Sequence, residues 1–227
     1  MSRFKLILGV LFNVAIFGGS LFLPAGTLDW WRAWVFLGVV FVGAVASTVS
    51  LYRTNKGLLQ ERFKLPVQKG QPLADKIVVL LLIASFVGLI ILIPLDVFRL
   101  HLIAKPGTLA SSLGLVLLIA GWWIMALALT ENAFAVPVVR HQEERQQTVI
   151  DSGVYSVVRH PMYSGAVLLL VGMPLWLESY AAAWLASVPI GILVVRILVE
   201  EQFLRRELKG YDAYTERVRY RLIPFLW

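Results

Sequence analysis

The chain reads as an all-α integral membrane protein of about six transmembrane helices, the last two forming a short hairpin. Three observations predict this. Hydrophobic residues make up 59% of the 227 and charged residues only 15%, and the two are segregated into long uncharged blocks separated by short charged ones. A soluble domain would expose too much apolar surface with that pattern. The blocks also have the length needed to cross a bilayer, about 20 residues, because an unpaired backbone amide in hydrocarbon costs several kcal/mol. Finally, laying the blocks across a membrane leaves the basic residues strongly asymmetric.

The first uncharged block, residues 6–28, is longer than a signal-peptide core and is followed at once by Trp30 and Trp31, so it is expected to be a retained span. Residues 33–52, 77–95 and 109–129 meet the length requirement cleanly. The stretch 162–195 is interrupted by Glu178, with Pro174 just before it and Tyr180 just after. That pattern predicts two helices turning at the far surface, each somewhat short for a full span.

With six spans, 18 of the 21 Lys and Arg lie on one side, and only Arg32, Arg99 and Lys105 lie on the other. The positive-inside bias therefore predicts that both termini are cytoplasmic. The net charge of +7 is explained by topology and by attraction to anionic lipid headgroups, and nucleic acid is not an expected partner. Cysteine is absent, which excludes disulfides and thiol chemistry. His141 with Glu143 and Glu144 lacks a second His at helical spacing, so no metal site is expected. No internal repeat supports an inverted-repeat transporter.

Two charged segments could carry chemistry. In the first, 130–162, Ser152-Gly153 reads as a turn, while Pro161 holds His160 extended and suits the first turn of the following helix. His160 thus stands at a helix entrance, where free amides and the helix dipole favour anionic groups such as a carboxylate. The plainer alternative is a His-Pro turn with Tyr163 as an interfacial anchor. In the second segment Arg196 and Glu200 are four residues apart, on one helix face, with Glu201 beside them. The plainer alternative there is an ion pair at the membrane exit. The hairpin returns His160 and Arg196 to the same side, so one pocket could be lined by both segments. Trp122 and Trp123 lie mid-span and are read as packing or lipid contacts. Arg217, Arg219 and Arg221, with Tyr220 and the following Pro224, are read as a headgroup-binding tail.

Several of these residues together resemble a known family. They are Val149-Ile150-Asp151-Ser152-Gly153-Val154-Tyr155, Arg159-His160-Pro161-Met162-Tyr163-Ser164-Gly165, Arg196 with Glu200-Glu201, and Tyr211-Asp212-Ala213-Tyr214 leading to Arg217-Val218 and Pro224. In that order and at those spacings they resemble the membrane-embedded isoprenylcysteine carboxyl methyltransferases and their relatives, which include phospholipid methyltransferases. The resemblance covers residues 131–227, the expected methyltransferase core; residues 1–130, four N-terminal spans, match only in hydrophobicity.

The resemblance implies methyl transfer from S-adenosyl-methionine to a lipophilic small-molecule or lipidated acceptor at a cytoplasmic site, most simply carboxyl O-methylation. Its implied cofactor contacts are Gln147, Thr148, Val149, Ile150, Tyr155, His160, Pro161, Met162, Tyr163 and Glu200, with Arg196 orienting the acceptor carboxylate. Two other activities fit parts of the pattern. A phospholipid amine N-methyltransferase keeps the chemistry, although an Arg beside the site opposes a cationic amine. A membrane reductase of the sterol reductase type shares a His-Pro-x-Tyr turn but needs a nicotinamide cofactor and more phosphate contacts than this sequence displays.

Overall fold

The structure is a computed structural model and describes residues 3–65, 67–68, 71–139, 142 and 145–227. Among the described residues there are helices and turns but no strand. In chain order the helices are α1 (Arg3–Ala25), α2 (Trp31–Thr54), α3 (Lys56–Arg62), α4 (Leu73–Leu95), α5 (Thr108–Glu131), α6 (Pro161–Trp176), α7 (Tyr180–Leu185), α8 (Ser187–Glu207) and α9 (Tyr211–Arg217). Five stretches are long and apolar enough to cross a membrane: Phe4–Ala25, Trp31–Thr54, Leu73–Leu100, Thr108–Glu131 and Tyr180–Glu207. Large apolar side chains such as Leu23, Leu109 and Trp184 stand exposed along these helices, the surface expected of a protein solvated by lipid.

Local chemistry sets the helix ends. Gly26, at φ 71°, closes α1 just after Pro24. The Asn55 side chain accepts from the Leu58 amide at 2.8 Å and starts α3, a helix the sequence reading did not anticipate. Pro94 removes a backbone donor near the end of α4, and a wide turn over Asp96–Leu100 follows, closed by His101 in the left-handed region. Pro161 occupies the first turn of α6 as expected.

The hairpin differs from expectation in one respect. Only its first limb is short: α6 has 16 residues, a rise of about 24 Å. The second limb, α7 with α8, covers 28 residues because the helix continues past Val195 through Arg196, Glu200 and Glu201 to Glu207. Arg196 and Glu201 are ion-paired inside the protein and Glu200 accepts from a buried phenol, so these three side chains are not a surface pair.

α5 and α6 form the most extensive helix contact. Two glycine pairs permit it. A Cβ on Gly121 would lie 2.6 Å from the Gly165 carbonyl oxygen, and one on Gly172 would lie 2.7 Å from that of Gly114. Only hydrogen fits between backbones that close.

At the end of the bundle that carries few basic residues, Arg32 draws the turns together. Its guanidinium lies 4.9 and 4.7 Å from the ring centroids of Trp31 and Trp176 and 3.3 Å from Glu178. Nearby, buried Asp96 accepts from the Ser179 hydroxyl at 2.7 Å and from the Leu102 amide at 2.7 Å. Trp122 packs over Gly43 while Trp123 is exposed, consistent with packing and lipid contact.

Candidate active site

At the opposite, basic end, the loop before α6, the C-terminal part of α8 and the tail after α9 converge. The tail folds back onto the start of α6: the amides of Arg159 and His160 donate to the carbonyls of Tyr220 and Arg221, both at 2.9 Å. Arg159 adds two bonds from its guanidinium, to Val218 O at 2.7 Å and Arg219 O at 2.9 Å. Buried Glu201 is the hub. One of its oxygens accepts from Arg159 Nε at 2.7 Å and lies 3.2 Å from His160 Nε2; the other accepts from Arg221 Nε at 3.0 Å. Two guanidiniums and an imidazole on one carboxylate keep this corner net positive. Arg221, expected to meet headgroups, is instead turned inward, and its guanidinium also covers the Trp227 ring at 5.2 Å. Arg217 remains at the surface, 2.5 Å from Asp151.

Successive positions on a helix point about 100° apart, so Glu200 leaves the hub and faces the neighbouring space. There it accepts from the Tyr163 hydroxyl at 2.5 Å and forms no ion pair with any described residue. The Tyr163 ring stacks on His160, centroids 5.5 Å apart and planes at 11°. Arg196 covers it from another direction, 5.8 Å from its centroid.

The space beside Glu200 is a cleft with about 810 Å³ of empty volume, partly open to solvent. Nine of the residues expected at a cofactor line it: Gln147, Thr148, Val149, Ile150, Tyr155, His160, Met162, Tyr163 and Glu200. Two predicted residues are not on its wall. Pro161 is buried in the first turn of α6, and Arg196 stands behind Tyr163. Between Gln147 and Asp151 the chain is neither helix nor strand, and the backbone groups of Thr148, Val149 and Ile150, which line the cleft, pair with no other described residue. Gln142 braces this loop by donating its side-chain amide to Phe134 O at 2.9 Å, and its backbone amide donates to Gln147 Oε1 at 3.0 Å.

The sequence reading missed several lining residues, among them Asn132, Leu204, Tyr211 and Tyr214. The Tyr211-x-x-Tyr214 spacing was the available signal, since it puts both phenols on one face of α9. Burial pushes the Tyr155 phenol up to about 12, opposed by a hydrogen bond with Asn132 and reinforced by nearby Glu200. Tyr211 and Tyr214 are also raised, first by burial and then by neighbouring acidic groups, including Glu201. All three are neutral hydroxyls near pH 7. His141, Glu143 and Glu144 lie outside the described residues.

Arg196 has a partner that no local pattern announced. Its Nε lies 3.6 Å from Oδ1 of Asp75, at the start of α4, and one Nη donates to Pro137 O at 2.5 Å. The other Asp75 oxygen accepts from Gln71 at 2.6 Å and from the Val139 amide at 2.9 Å. Arg196 Nε and Asp75 Oδ1 are buried, and at 3.6 Å they form an ion pair but no hydrogen bond; neither atom has a hydrogen-bond partner among the described residues.

Comparison with known proteins places this site in context. Residues 109–209 match the model of the phospholipid methyltransferase family, a span that takes in α5, α6 and α8. A rice protein (Oryza sativa subsp. indica) named "Probable protein-S-isoprenylcysteine O-methyltransferase" is 31% identical over 125 residues, 54% of this chain and 65% of the relative. The Arabidopsis thaliana protein named "Protein-S-isoprenylcysteine O-methyltransferase B" is 28% identical over 145 residues, 61% of this chain and 74% of the relative. The match thus spans 65% of the length of the rice relative.

Proposed function

We propose that this chain, whose residues 109–209 match the model of the phospholipid methyltransferase family, is an integral membrane methyltransferase that uses S-adenosyl-methionine to methylate the carboxylate of a lipophilic, prenylcysteine-type acceptor. The observation that carries the reading is the single cleft in which Gln147 to Ile150, Tyr155, His160, Met162, Tyr163 and Glu200 meet, at the basic end of a multi-pass bundle. In this reading that end is cytoplasmic, both termini lie there, and residues 131–227 form the catalytic core on a frame of four N-terminal spans.

The cleft residues fit the cofactor. The backbone of residues 148–150, without a partner among the described residues, suits the edge of a heterocyclic base, the neutral phenols of Tyr155, Tyr211 and Tyr214 suit sugar hydroxyls, and Glu200 offers a cation a carboxylate that no described cation balances. When bound, the cofactor supplies an electrophilic methyl group on sulfur: a lone pair of the acceptor oxygen forms the C–O bond as the C–S bond breaks, its electrons returning to sulfur. No proton moves, because an acceptor carboxylate is already ionised near pH 7 and needs no general base. The protein's work is therefore alignment and exclusion of water. His160 and Tyr163, stacked and tied to Glu201 and Glu200, hold the wall rigid. Arg196 orients the acceptor carboxylate from behind Tyr163. An apolar cavity with about 930 Å³ of empty volume, lined in part by Phe86, Ala166 and Leu193, lies one helical turn from Tyr163 and Arg196 and suits a hydrocarbon chain.

The decisive experiment pairs titration calorimetry of S-adenosyl-homocysteine on the purified protein with transfer of labelled methyl to prenylcysteine and phospholipid acceptors. Binding together with label on the carboxylate is expected, and no binding would sink the methyltransferase reading. Label on phosphatidylethanolamine alone would support the second reading, an amine N-methyltransferase, which the description of the matching family favours.

A further inference from the structure

Two arginines approach the wall formed by Met162 and Tyr163, and their charges are managed differently. Arg196 shares its charge with Asp75 at 3.6 Å and spends a donor on Pro137 O. Arg62, the last residue of α3, spends one donor on Ala135 O at 3.0 Å, and the same nitrogen lies 4.0 Å from Met162 Sδ. Its electrostatic neighbours are the phenols of Tyr155 and Tyr163, and it forms no ion pair with any described residue. Ala135, Met162, Tyr155 and Tyr163 all line the cleft. Burial pulls the Arg62 pKa below the usual guanidinium value, the sign of a cation losing water without gaining a counter-charge. A guanidinium presents five donors in a planar fork matched to a carboxylate, and only one nitrogen here is occupied.

We infer that Arg62 binds the carboxylate of the methyl acceptor, completing from the N-terminal half a site otherwise built by residues 131–227. The inference rests on the carboxylate reading above and adds the group that binds the acceptor anion. Asp75 makes Arg196 a neutral pair, and Arg62 supplies a charge that no described residue balances. That charge also disfavours a protonated amine at the same place.

The test uses the full chain with Arg62→Gln and Arg62→Lys, an S-farnesylated N-acetylcysteine as acceptor, and its carboxamide as a competitive ligand that cannot be methylated. Arg62→Gln is expected to raise the acceptor KM by about tenfold or more, leave S-adenosyl-homocysteine affinity within about twofold, and abolish the wild type's preference for acid over amide. Arg62→Lys should recover part of that preference, which a purely structural role would not predict. An active wild type whose acid-over-amide preference survives Arg62→Gln overturns the inference and leaves the proposed function standing. Loss of S-adenosyl-homocysteine binding with unchanged acceptor KM overturns it too, by assigning Arg62 to the cofactor. A wild type that methylates phosphatidylethanolamine vesicles and no acid overturns both.

Discussion

Glu200 and Glu201 are adjacent in sequence and have separate tasks. Glu201 is 4% exposed and balances Arg159 and Arg221, so Glu201→Gln leaves two guanidiniums without their counter-charge. Removing one partner of a buried ion pair costs about 3–5 kcal/mol, and a marked fall in the melting temperature of the detergent-solubilised protein is expected. Glu200→Gln keeps an acceptor for Tyr163 and should melt near wild type while weakening S-adenosyl-homocysteine in calorimetry. Tyr155 gives a pH signature. Its phenol titrates near 12 in the folded protein against about 10 when unfolded, so the folded state holds the proton more tightly. Stability from this group is therefore full below pH 10 and declines as pH climbs toward 12. Tyr155→Phe should flatten part of that alkaline decline in a melting series between pH 8 and 12; an unchanged slope would assign it elsewhere. The motif residues at this scale were largely legible in the sequence, because local spacing carries them. Asp75 was not, since its meeting with Arg196 joins residues far apart in the chain and leaves no periodic trace. Arg62 was hidden for the same reason, in a basic segment whose charge topology alone accounts for.

Among the elements, the α5–α6 contact depends on glycine. Gly121→Ala or Gly165→Ala drives a methyl group against the backbone of the facing helix, and overpacking of this kind costs about 1–3 kcal/mol. Gly88→Ala on α4, where a Cβ meets nothing within 4 Å, is the control and should be neutral or slightly stabilising. Thermal melts of the three variants decide this; equal melting temperatures would mean that the helices can simply part. Span positions could be read from apolar blocks because lipid demands them. The true length of α8 could not, because Arg196 and Glu201, which resemble a membrane exit, are balanced by Asp75 and Arg159 from other elements, and Glu200 is hydrogen-bonded by Tyr163. α3 was also beyond reach, since a seven-residue charged helix capped by Asn55 has no apolar periodicity to betray it.

For the whole molecule, orientation is the property that sequence addresses most directly, and it can be checked without altering the site. The chain has no cysteine, so single replacements report cleanly. Lys105→Cys and Lys209→Cys, both exposed positions, should behave oppositely in intact cells: a membrane-impermeant maleimide labels the first and leaves the second untouched. The reverse pattern would place the cleft outside. The five long apolar helices support a multi-pass membrane protein, and the labelling pattern tests the direction that the positive-inside bias predicts.

The shortness of α6 has a consequence for kinetics. A helix rising about 24 Å is shorter than a hydrocarbon layer of about 30 Å, so its His160 end is drawn below the level reached by its longer neighbours. Under the proposed function, two reactants would arrive from media of different dimensionality, one from bulk water and one by lateral diffusion within a leaflet. The governing concentration of such an acceptor would be its mole fraction in the membrane, and adding inert lipid at a constant total amount of acceptor should slow the reaction by surface dilution.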